Sequence, residues 1–270
     1  MNVSYLGPKG TFSEIAVAHY FSENINKHPK SSIEDVFKSV EKSEVDYGVV
    51  PIENSVEGSV NNTLDLLLDC TVLINGEIEI IINQCLLSQE TDLKSVKRIF
   101  GHPQSFAQCK KWITNNIPDA KLVPVTSNSS GALSLEKSSD ACIGSEIIAK
   151  YYSLNINKKN IQDYNNNTTR FVVIGNSTSP ITVSDKTSLL IIPPNTDDSG
   201  SLYRLLQPFA DNKINLSRIE SRPSKIHKWS YVFFIDIDGH IEDKRIQNTI
   251  DLLKNRGVEI KCLGSYPINK

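Results

Sequence analysis

Thr169, Arg170 and Phe171 place a hydroxyl, a guanidinium and an aromatic ring side by side, directly before the apolar run 172–174. Alternate residues of a strand share a face, so we expect Thr169 and Phe171 to line one surface. Arg170 then lies opposite, or at the mouth of the strand. The three groups together are suited to hold a small, ring-shaped anion. Taken alone, the segment is more simply explained as the capped start of a strand with a solvated arginine, and the other polar segments change that interpretation.

Three more polar segments follow strand-like runs and open helices. Because the free N–H groups at a helix N-terminus favour a carboxylate or phosphate, such junctions are candidate anion sites. In open α/β sheets, ligands bind outside the carboxyl ends of the strands. Each junction alone could be a turn with a helix cap, but four polar segments together favour a ligand site. The three segments are 7–13 (GPKGTFS), 50–55 (VPIENS) and 101–104 (GHPQ), the last with Gln108 close behind.

The composition sets the class of protein. A chain of 270 residues is long enough for two domains, and 39% hydrophobic with 22% charged residues is ordinary for a globular protein. A net charge of −2 gives no electrostatic reason to bind nucleic acid. The absence of an apolar run near ~20 residues argues against a membrane span. The five dispersed cysteines form no CxxC pair, so we expect no disulfide framework, no zinc site and a cytoplasmic location.

The first two-thirds of the chain alternates strand-like and helix-like patterns, which predicts an α/β fold with mainly parallel sheets. We expect Thr11 or Ser13 to cap the first helix and Ser59 to cap the second. One helix should run through Phe106, Lys110 and Ile113. The polar stretch 155–168 is predicted to be a loop. The predicted strands are 3–6, 47–52, 79–87, 96–100, 122–125 and 141–143.

The pattern changes after the polar stretch 176–185, which is typical of a linker. The order of elements beyond it is βαββαβ, the ferredoxin-like unit. The predicted strands are 186–192, 214–220, 230–237 and 258–263, and the predicted helices are 201–210 and 244–256.

Taken together, these motifs resemble those of a known family. The chain is similar to bacterial prephenate dehydratases over essentially its whole length, and the matching motifs occur in the family's order. The C-terminal part resembles the family's ACT regulatory domain. The motifs are 5–13 (YLGPKGTFS), 50–55 (VPIENS), 101–104 (GHPQ) and 169–171 (TRF), with 220–223 (ESRP) and 229–231 (WSY) in the C-terminal part.

The resemblance implies a catalytic region of two α/β lobes with the cleft architecture of type II periplasmic binding proteins. This region would span 1–182. One lobe would comprise about 1–76 with 160–182, and the other about 77–159. The ACT domain would span 186–270.

The resemblance also implies the reaction. Prephenate would lose its ring hydroxyl and ring carboxylate to give phenylpyruvate, carbon dioxide and water, in L-phenylalanine biosynthesis with L-phenylalanine as allosteric feedback inhibitor. Aromatisation drives such a reaction, so no cofactor or metal is expected. The alternatives are an arogenate dehydratase and a noncatalytic phenylalanine-binding sensor. We expect a homodimer or homotetramer, held partly through the C-terminal domain.

The family's roles carry over to the matching residues. Thr169 would be catalytic, through a hydrogen bond to the departing oxygen, because a threonine hydroxyl is too weak an acid to act alone. Glu53 is the candidate proton donor. The expected substrate-binding residues are Thr11, Ser13, Asn54, Ser55, Gln108, Arg170 and Phe171.

The expected effector site combines a helix start with a strand end. In the segment 200–202 (GSL), serine replaces the alanine of the family's usual Gly-Ala-Leu. A second departure lies in the catalytic part, where Gly101 stands at a position at which some members carry serine. The first change leaves the free N–H groups of the helix available for a carboxylate. The expected effector residues are Gly200, Ser201, Leu202, Glu220, Ser221, Arg222 and Pro223.

Overall fold

The structure is a computed structural model that describes residues 1–21, 24–90, 92–194, 198–224 and 231–268. It confirms the α/β class. Within these described residues, no helix combines the length and the apolarity that crossing a membrane requires.

Strands and helices alternate up to residue 175, as the sequence predicts. The strands are β1 Asn2–Leu6, β2 Asn26–Lys30, β3 Tyr47–Asn54, β4 Gly58–Ser59, β5 Leu73–Ile81, β6 Cys85–Ser88, β7 Arg98–Gly101, β8 Lys121–Pro124, β9 Asp140–Gly144, β10 Asn155–Lys158 and β11 Thr168–Gly175. The helices are α1 Phe12–Tyr20, α2 Ile33–Glu41, α3 Asn61–Asp69, α4 Pro103–Gln108, α5 Lys110–Asn116, α6 Asn128–Leu133 and α7 Glu146–Tyr152.

These strands form two sheets. One has the order β2-β1-β3-β11-β5, with β4 paired to β3, and the other has the order β10-β6-β9-β7-β8. Strand β1 runs parallel to β2, and β7 runs parallel to β8 and β9, whereas β6 is antiparallel to β9 and β10. Parallel strands bring their carboxyl ends, and the polar segments that follow them, to one edge of a sheet.

The C-terminal part confirms the predicted βαββαβ order. Its sheet is antiparallel with the order β13-β14-β12-β15, and its core includes Leu189, Phe209, Ile235 and Leu253. The elements are β12 Asp185–Ile192, α8 Ser201–Asp211, β13 Leu216–Pro223, β14 Tyr231–Asp238, α9 Lys244–Asn255 and β15 Glu259–Pro267.

Several predicted elements are wrong. The apolar run 79–87 is not one strand, because β5 ends at Ile81 and β6 begins at Cys85 in the other sheet. Between them, the N–H of Gln84 donates to the side chain of Gln162 instead of a neighbouring strand. The helix predicted through 106–113 is two helices that meet at Cys109, whose backbone is not helical (φ −113°, ψ 12°).

Other elements were missed or have different ends. Strand β2 and helix α2 have no counterpart in the predictions, and the predicted loop 155–168 begins with strand β10. The backbone cap of α3 is Val60, not Ser59. Thr11 caps α1 by position only, because its hydroxyl donates to the carbonyl of Leu6 at 3.0 Å. Trp229 and Ser230 lie outside the described residues.

The chain divides into two compact units by its internal contacts. The first comprises Met1–Val36, Val49–Gly58 and Glu79–Phe171, and the second comprises Phe37–Gly48, Ser59–Ile78 and Val172–Lys270. The predicted limits 1–182 and 186–270, with their lobes, stay a prediction.

Candidate active site

The first unit contains a cavity of about 790 Å³. It is lined by the ends of β2 and β3, by the segments that follow β1, β5, β7, β8 and β9, and by the start of β11. Five of the residues predicted to form the site therefore meet in one cavity. They are Thr11, Ser13, Asn54, Gln108 and Thr169.

Asn54 and Thr169 are hydrogen-bonded neighbours at this cavity. The distance from Asn54 Nδ2 to Thr169 Oγ1 is 2.9 Å, and both residues are at least nine-tenths buried. Asn54 Nδ2 also donates to Asn167 Oδ1 at 2.7 Å. Both hydrogens of the Asn54 amide are thus used within the protein.

Glu53 and Arg170 do not line the cavity. They form an ion pair with each other, with 3.8 Å between Arg170 Nη1 and Glu53 Oε2. Strands β3 and β11 are neighbours, and successive side chains of a strand point to opposite faces. Since Asn54 and Thr169 face the cavity, Glu53 and Arg170 face away from it. The expectation that these two side chains meet the substrate directly has no support from this geometry.

Ser55 and Phe171 also lie outside the cavity lining. The Ser55 hydroxyl donates to the carbonyl of Asn166 and accepts the N–H of Thr168, which ties the chain after β3 to the chain before β11. Phe171 is 2% exposed and shares the strand face of Thr169, but it lies deeper in the fold. Their expected contact with the substrate stays a prediction.

The glycine-rich turn before α1 is held from both sides. The N–H of Gly10 donates to Glu14 Oε2 at 2.7 Å, and its carbonyl accepts the Ser145 hydroxyl at 2.9 Å. Gly10 has φ +89°, and a Cβ there would lie 2.8 Å from Ile148 Cγ1, so only glycine fits. This turn places Thr11 and Ser13, at the start of α1, in the lining of the cavity.

Glu14 itself is a buried carboxylate, 2% exposed. It accepts the Tyr151 hydroxyl at 2.6 Å and lies 3.5 Å from Lys27 Nζ. The hydrogen bond to Glu14 raises the pKa of Tyr151 to about 12. Burial first, and then the charge of Glu14, also raise the pKa of Tyr5. The Glu14 carboxylate therefore has three polar partners beside the turn, which are the Tyr151 phenol, the Lys27 ammonium group and the Gly10 N–H.

Helix α4 supplies a second polar wall. His102 caps the helix by accepting the N–H of Gln104 on Nδ1, and His102, Gln104 and Gln108 all line the cavity. Glu57 accepts hydrogen bonds from the side-chain amides of Gln104 and Gln108. The chain after β3 is thereby joined to α4.

Two residues of the site were missed by sequence reasoning. Lys30 is the only lysine or arginine among the described residues that line the cavity. It ends β2, whose sequence NKHPK has no apolar pattern by which to recognise a strand. Asn167 lies one residue before β11 and was given no role from the sequence, and its hydrogen bond to Asn54 reveals its place beside the site.

The described residues contain no group of three or more His, Cys, Asp or Glu side chains arranged to hold a metal ion. All five cysteines are free thiols, and burial raises the pKa of Cys109 and Cys142 to about 12.

Residues 3–179 match the family model of prephenate dehydratase, and residues 195–251 match that of the ACT domain. The chain belongs to the prephenate dehydratase family. It is 42% identical over 268 residues to a bifunctional chorismate mutase/prephenate dehydratase of Aquifex aeolicus, covering 99% of this chain and 74% of that protein. It is 34% identical over 280 residues to the prephenate dehydratase of Bacillus subtilis, covering 98% of each chain.

A solved structure of this family has the same fold as this chain. The prephenate dehydratase of Arthrobacter aurescens in complex with L-Phe superposes with a TM-score of 0.89 at 33% identity, over 99% of this chain and 90% of that one. The prephenate dehydratase fold thus extends over nearly the whole chain.

The ACT part carries the residues expected to bind an effector. Gly200 is the backbone cap of α8, with φ +77°, and Leu202 is 44% exposed. Glu220, Ser221 and Pro223 lie on the edge strand β13. Arg222 on the same strand donates to Asn61 Oδ1 at 2.8 Å and to Asp65 Oδ1 at 2.9 Å, so its guanidinium contacts α3.

Proposed function

We propose that this protein converts prephenate to phenylpyruvate as a step of L-phenylalanine biosynthesis in the cytoplasm. The bond from the ring to its carboxylate breaks, its electron pair completes the aromatic ring, and the ring hydroxyl leaves as water after taking up a proton. The observation that carries the proposal is the hydrogen-bonded pair Asn54 and Thr169 at a polar cavity, in a chain of this family.

Thr169 provides the hydrogen bond to the departing oxygen. A hydroxyl has one hydrogen to donate, and here its oxygen already accepts from Asn54, so the hydrogen is left for another acceptor. A preorganised donor of this kind stabilises charge that develops on a leaving oxygen. Because Thr169 lines the cavity, the departing oxygen of the substrate is that acceptor.

The two carboxylates of the substrate need positive partners. The start of α1 offers free N–H groups and the hydroxyl of Ser13, and Lys30 supplies an ammonium group. Thr11 lies at the same place, but its hydroxyl already donates to the carbonyl of Leu6. Gln108 orients the substrate from the opposite wall. Arg170 and Glu53 stabilise each other on the far face of the sheet and act on the site only through β3 and β11.

Purified protein mixed with prephenate should form phenylpyruvate, and the same protein mixed with arogenate should form phenylalanine much more slowly. Faster turnover of arogenate would instead favour the arogenate dehydratase alternative. Failure to convert either compound, together with tight binding of phenylalanine, would favour the noncatalytic sensor.

We further propose that L-phenylalanine binds the ACT part, at the start of α8 and the end of β13, and inhibits the enzyme. The match of residues 195–251 and the L-Phe complex of the Arthrobacter relative support this. The residues that would form the site are Gly200, Ser201, Leu202, Glu220, Ser221, Arg222 and Pro223.

Helix α3 is the proposed connection from the effector to the cavity. At its N-terminal end, Arg218 donates to Ser59 Oγ at 2.9 Å and Arg222 contacts Asn61 and Asp65. At its C-terminal end, Lys261 Nζ donates to the carbonyls of Leu67, Leu68 and Cys70 at 3.2, 3.1 and 2.7 Å. The ACT sheet thus holds both ends of α3.

The chain continues from α3 back to Asn54 through only six residues, 55–60. A shift of β13 on binding phenylalanine would therefore move α3 and strain the segment that carries Asn54. Coupling of about 1–3 kcal/mol would suffice for strong inhibition.

We also propose a homodimer or homotetramer. Strand β13 is an edge of the ACT sheet, and an unpaired edge favours association with a second copy. Ile219 on this strand is 44% exposed and Tyr231 on the next strand is 42% exposed, which supports a partly apolar contact.

A further inference from the structure

The backbone after β3 sets the orientation of the Asn54 side chain. Asn54 Oδ1 accepts the N–H groups of Val56 at 3.0 Å and Glu57 at 3.1 Å. A backbone N–H can only donate, so the atom that faces these two groups must be the oxygen of the amide. The Asn54 nitrogen is therefore forced to point the other way, toward β11.

This nitrogen donates two hydrogen bonds, one to Asn167 and the other to Thr169. Asn167 Oδ1 lies 2.7 Å from Asn54 Nδ2, and the residue is 2% exposed. Its own main chain is anchored, because its carbonyl accepts the N–H of Ile82 at 2.8 Å. The acceptor beside Asn54 is thus held in place by the residue that follows β5.

We propose that Asn167 is a positioning residue for the reaction. By accepting one hydrogen of Asn54 it holds the amide in the rotamer that donates to Thr169, and this leaves the Thr169 hydrogen for the departing oxygen. Asn167 does not act on the substrate itself, and it is absent from the cavity lining. The inference rests on the proposed role of Thr169.

Two replacements of Asn167 should differ in their effect on kcat. Leucine has a similar size and cannot accept a hydrogen bond, so Asn167→Leu should lower kcat by about 10- to 100-fold with KM within about twofold, as expected when a catalytic group is misplaced. Asn167→Asp keeps the acceptor, so kcat should return to within about threefold of the parent. Its added negative charge near the dianionic substrate should raise KM.

Two further variants complete the test. Asn54→Asp places an oxygen where Thr169 needs a donor, so Thr169 should turn its hydrogen toward the new carboxylate and kcat should fall about as far as in Thr169→Val. Asn166→Leu changes the exposed neighbour and serves as the matched control, with kinetics like the parent. Circular dichroism and thermal unfolding accompany every variant.

Steady-state kinetics with prephenate decide the outcome. Equal loss of kcat in Asn167→Leu and Asn167→Asp, or full kcat in Asn167→Leu, would overturn the positioning role. If Asn167→Leu does not fold, the comparison of Asn167→Asp with Asn54→Asp decides, since only the second should lose kcat. A parent enzyme that ignores prephenate, or a fully active Thr169→Val, would instead refute the proposed function.

Discussion

Asn54 donates a hydrogen bond to Thr169, with 2.9 Å between Nδ2 and Oγ1, across the neighbouring strands β3 and β11. The two residues are 115 positions apart in the chain. Their contact depends on the pairing of these strands, and it fixes Thr169 as an acceptor toward the protein. The single hydrogen of the hydroxyl is left for another acceptor.

Thr169→Val should nearly abolish turnover while the protein stays folded. Valine conserves the shape and removes the hydroxyl, and the loss of one preorganised donor costs on the order of 100- to 1000-fold in rate. Steady-state kinetics with a circular dichroism control measures this. Thr168→Val is the matched control, because the hydrogen bonds of Thr168 to Ser55 are made by its main chain. A Thr169→Val enzyme with half the parent activity would refute the assignment.

Activity should survive exhaustive chelation. Elimination of water and carbon dioxide from prephenate is driven by aromatisation, and the chain's own hydroxyl and N–H groups supply the polar contacts. The measurement is the rate after treatment with EDTA and dialysis, with and without added divalent ions. A loss that a divalent ion restores would show that the reaction needs a metal.

Lys261→Met should weaken inhibition by phenylalanine with little change in the uninhibited rate. The ammonium group holds the C-terminal carbonyls of α3, and its removal frees that end of the helix from the ACT sheet. We expect the half-inhibiting phenylalanine concentration to rise several-fold. The proposed coupling between the effector site and the cavity is about 1–3 kcal/mol, and Lys261 carries only part of it.

The exposed Lys254→Met on α9 is the control for the loss of a positive charge. Inhibition curves for the parent and both variants, with phenylalanine binding measured separately, distinguish coupling from affinity. If Lys261→Met is inhibited like the parent, α3 does not carry the signal.

Asp140→Asn should destabilise the protein at neutral pH, and the difference should vanish in acid. Arg98 donates to both carboxylate oxygens of Asp140, at 2.8 and 2.7 Å, and this lowers the pKa of Asp140 from 3.8 to about 2. A depressed pKa contributes stability above pH 3.8, and that contribution is lost as the pH falls toward 2.

Hydrogen bonds to a charged group contribute about 2 kcal/mol, so the free energy of unfolding should drop by roughly this amount in Asp140→Asn at pH 7. Denaturant unfolding of both proteins between pH 7 and pH 2 measures it. A difference that stays constant over this range would contradict the ion pair as its cause.

The full chain should sediment as a dimer or tetramer at micromolar concentration. The edge strand β13 with its exposed apolar side chains is the surface we expect to pair. Sedimentation velocity over a concentration series is the measurement. Only a species of 30.1 kDa, the mass of one chain, would contradict the proposal.

The sequence by itself determined the family, the α/β class and the C-terminal βαββαβ order. These follow from local signals: multi-residue motifs in order, and hydrophobic periods that change at the ends of elements. It also predicted that Thr11, Ser13, Asn54, Gln108 and Thr169 belong to one site, and these five residues line one cavity. The signal was the position of polar residues at the ends of strand-like runs.

Only the tertiary structure decided which side chains face the cavity. Glu53 and Asn54 are equally polar neighbours, and the pairing of β3 with β11 turns Asn54 inward and Glu53 toward Arg170. Lys30 lines the cavity at the end of β2. This strand has no apolar pattern, and it forms because it pairs in parallel with β1.

The same reason explains the run 79–87, which is largely apolar yet serves two strands in different sheets. Apolarity reports burial, whereas the strand partner and the face toward the site depend on residues far away in the chain.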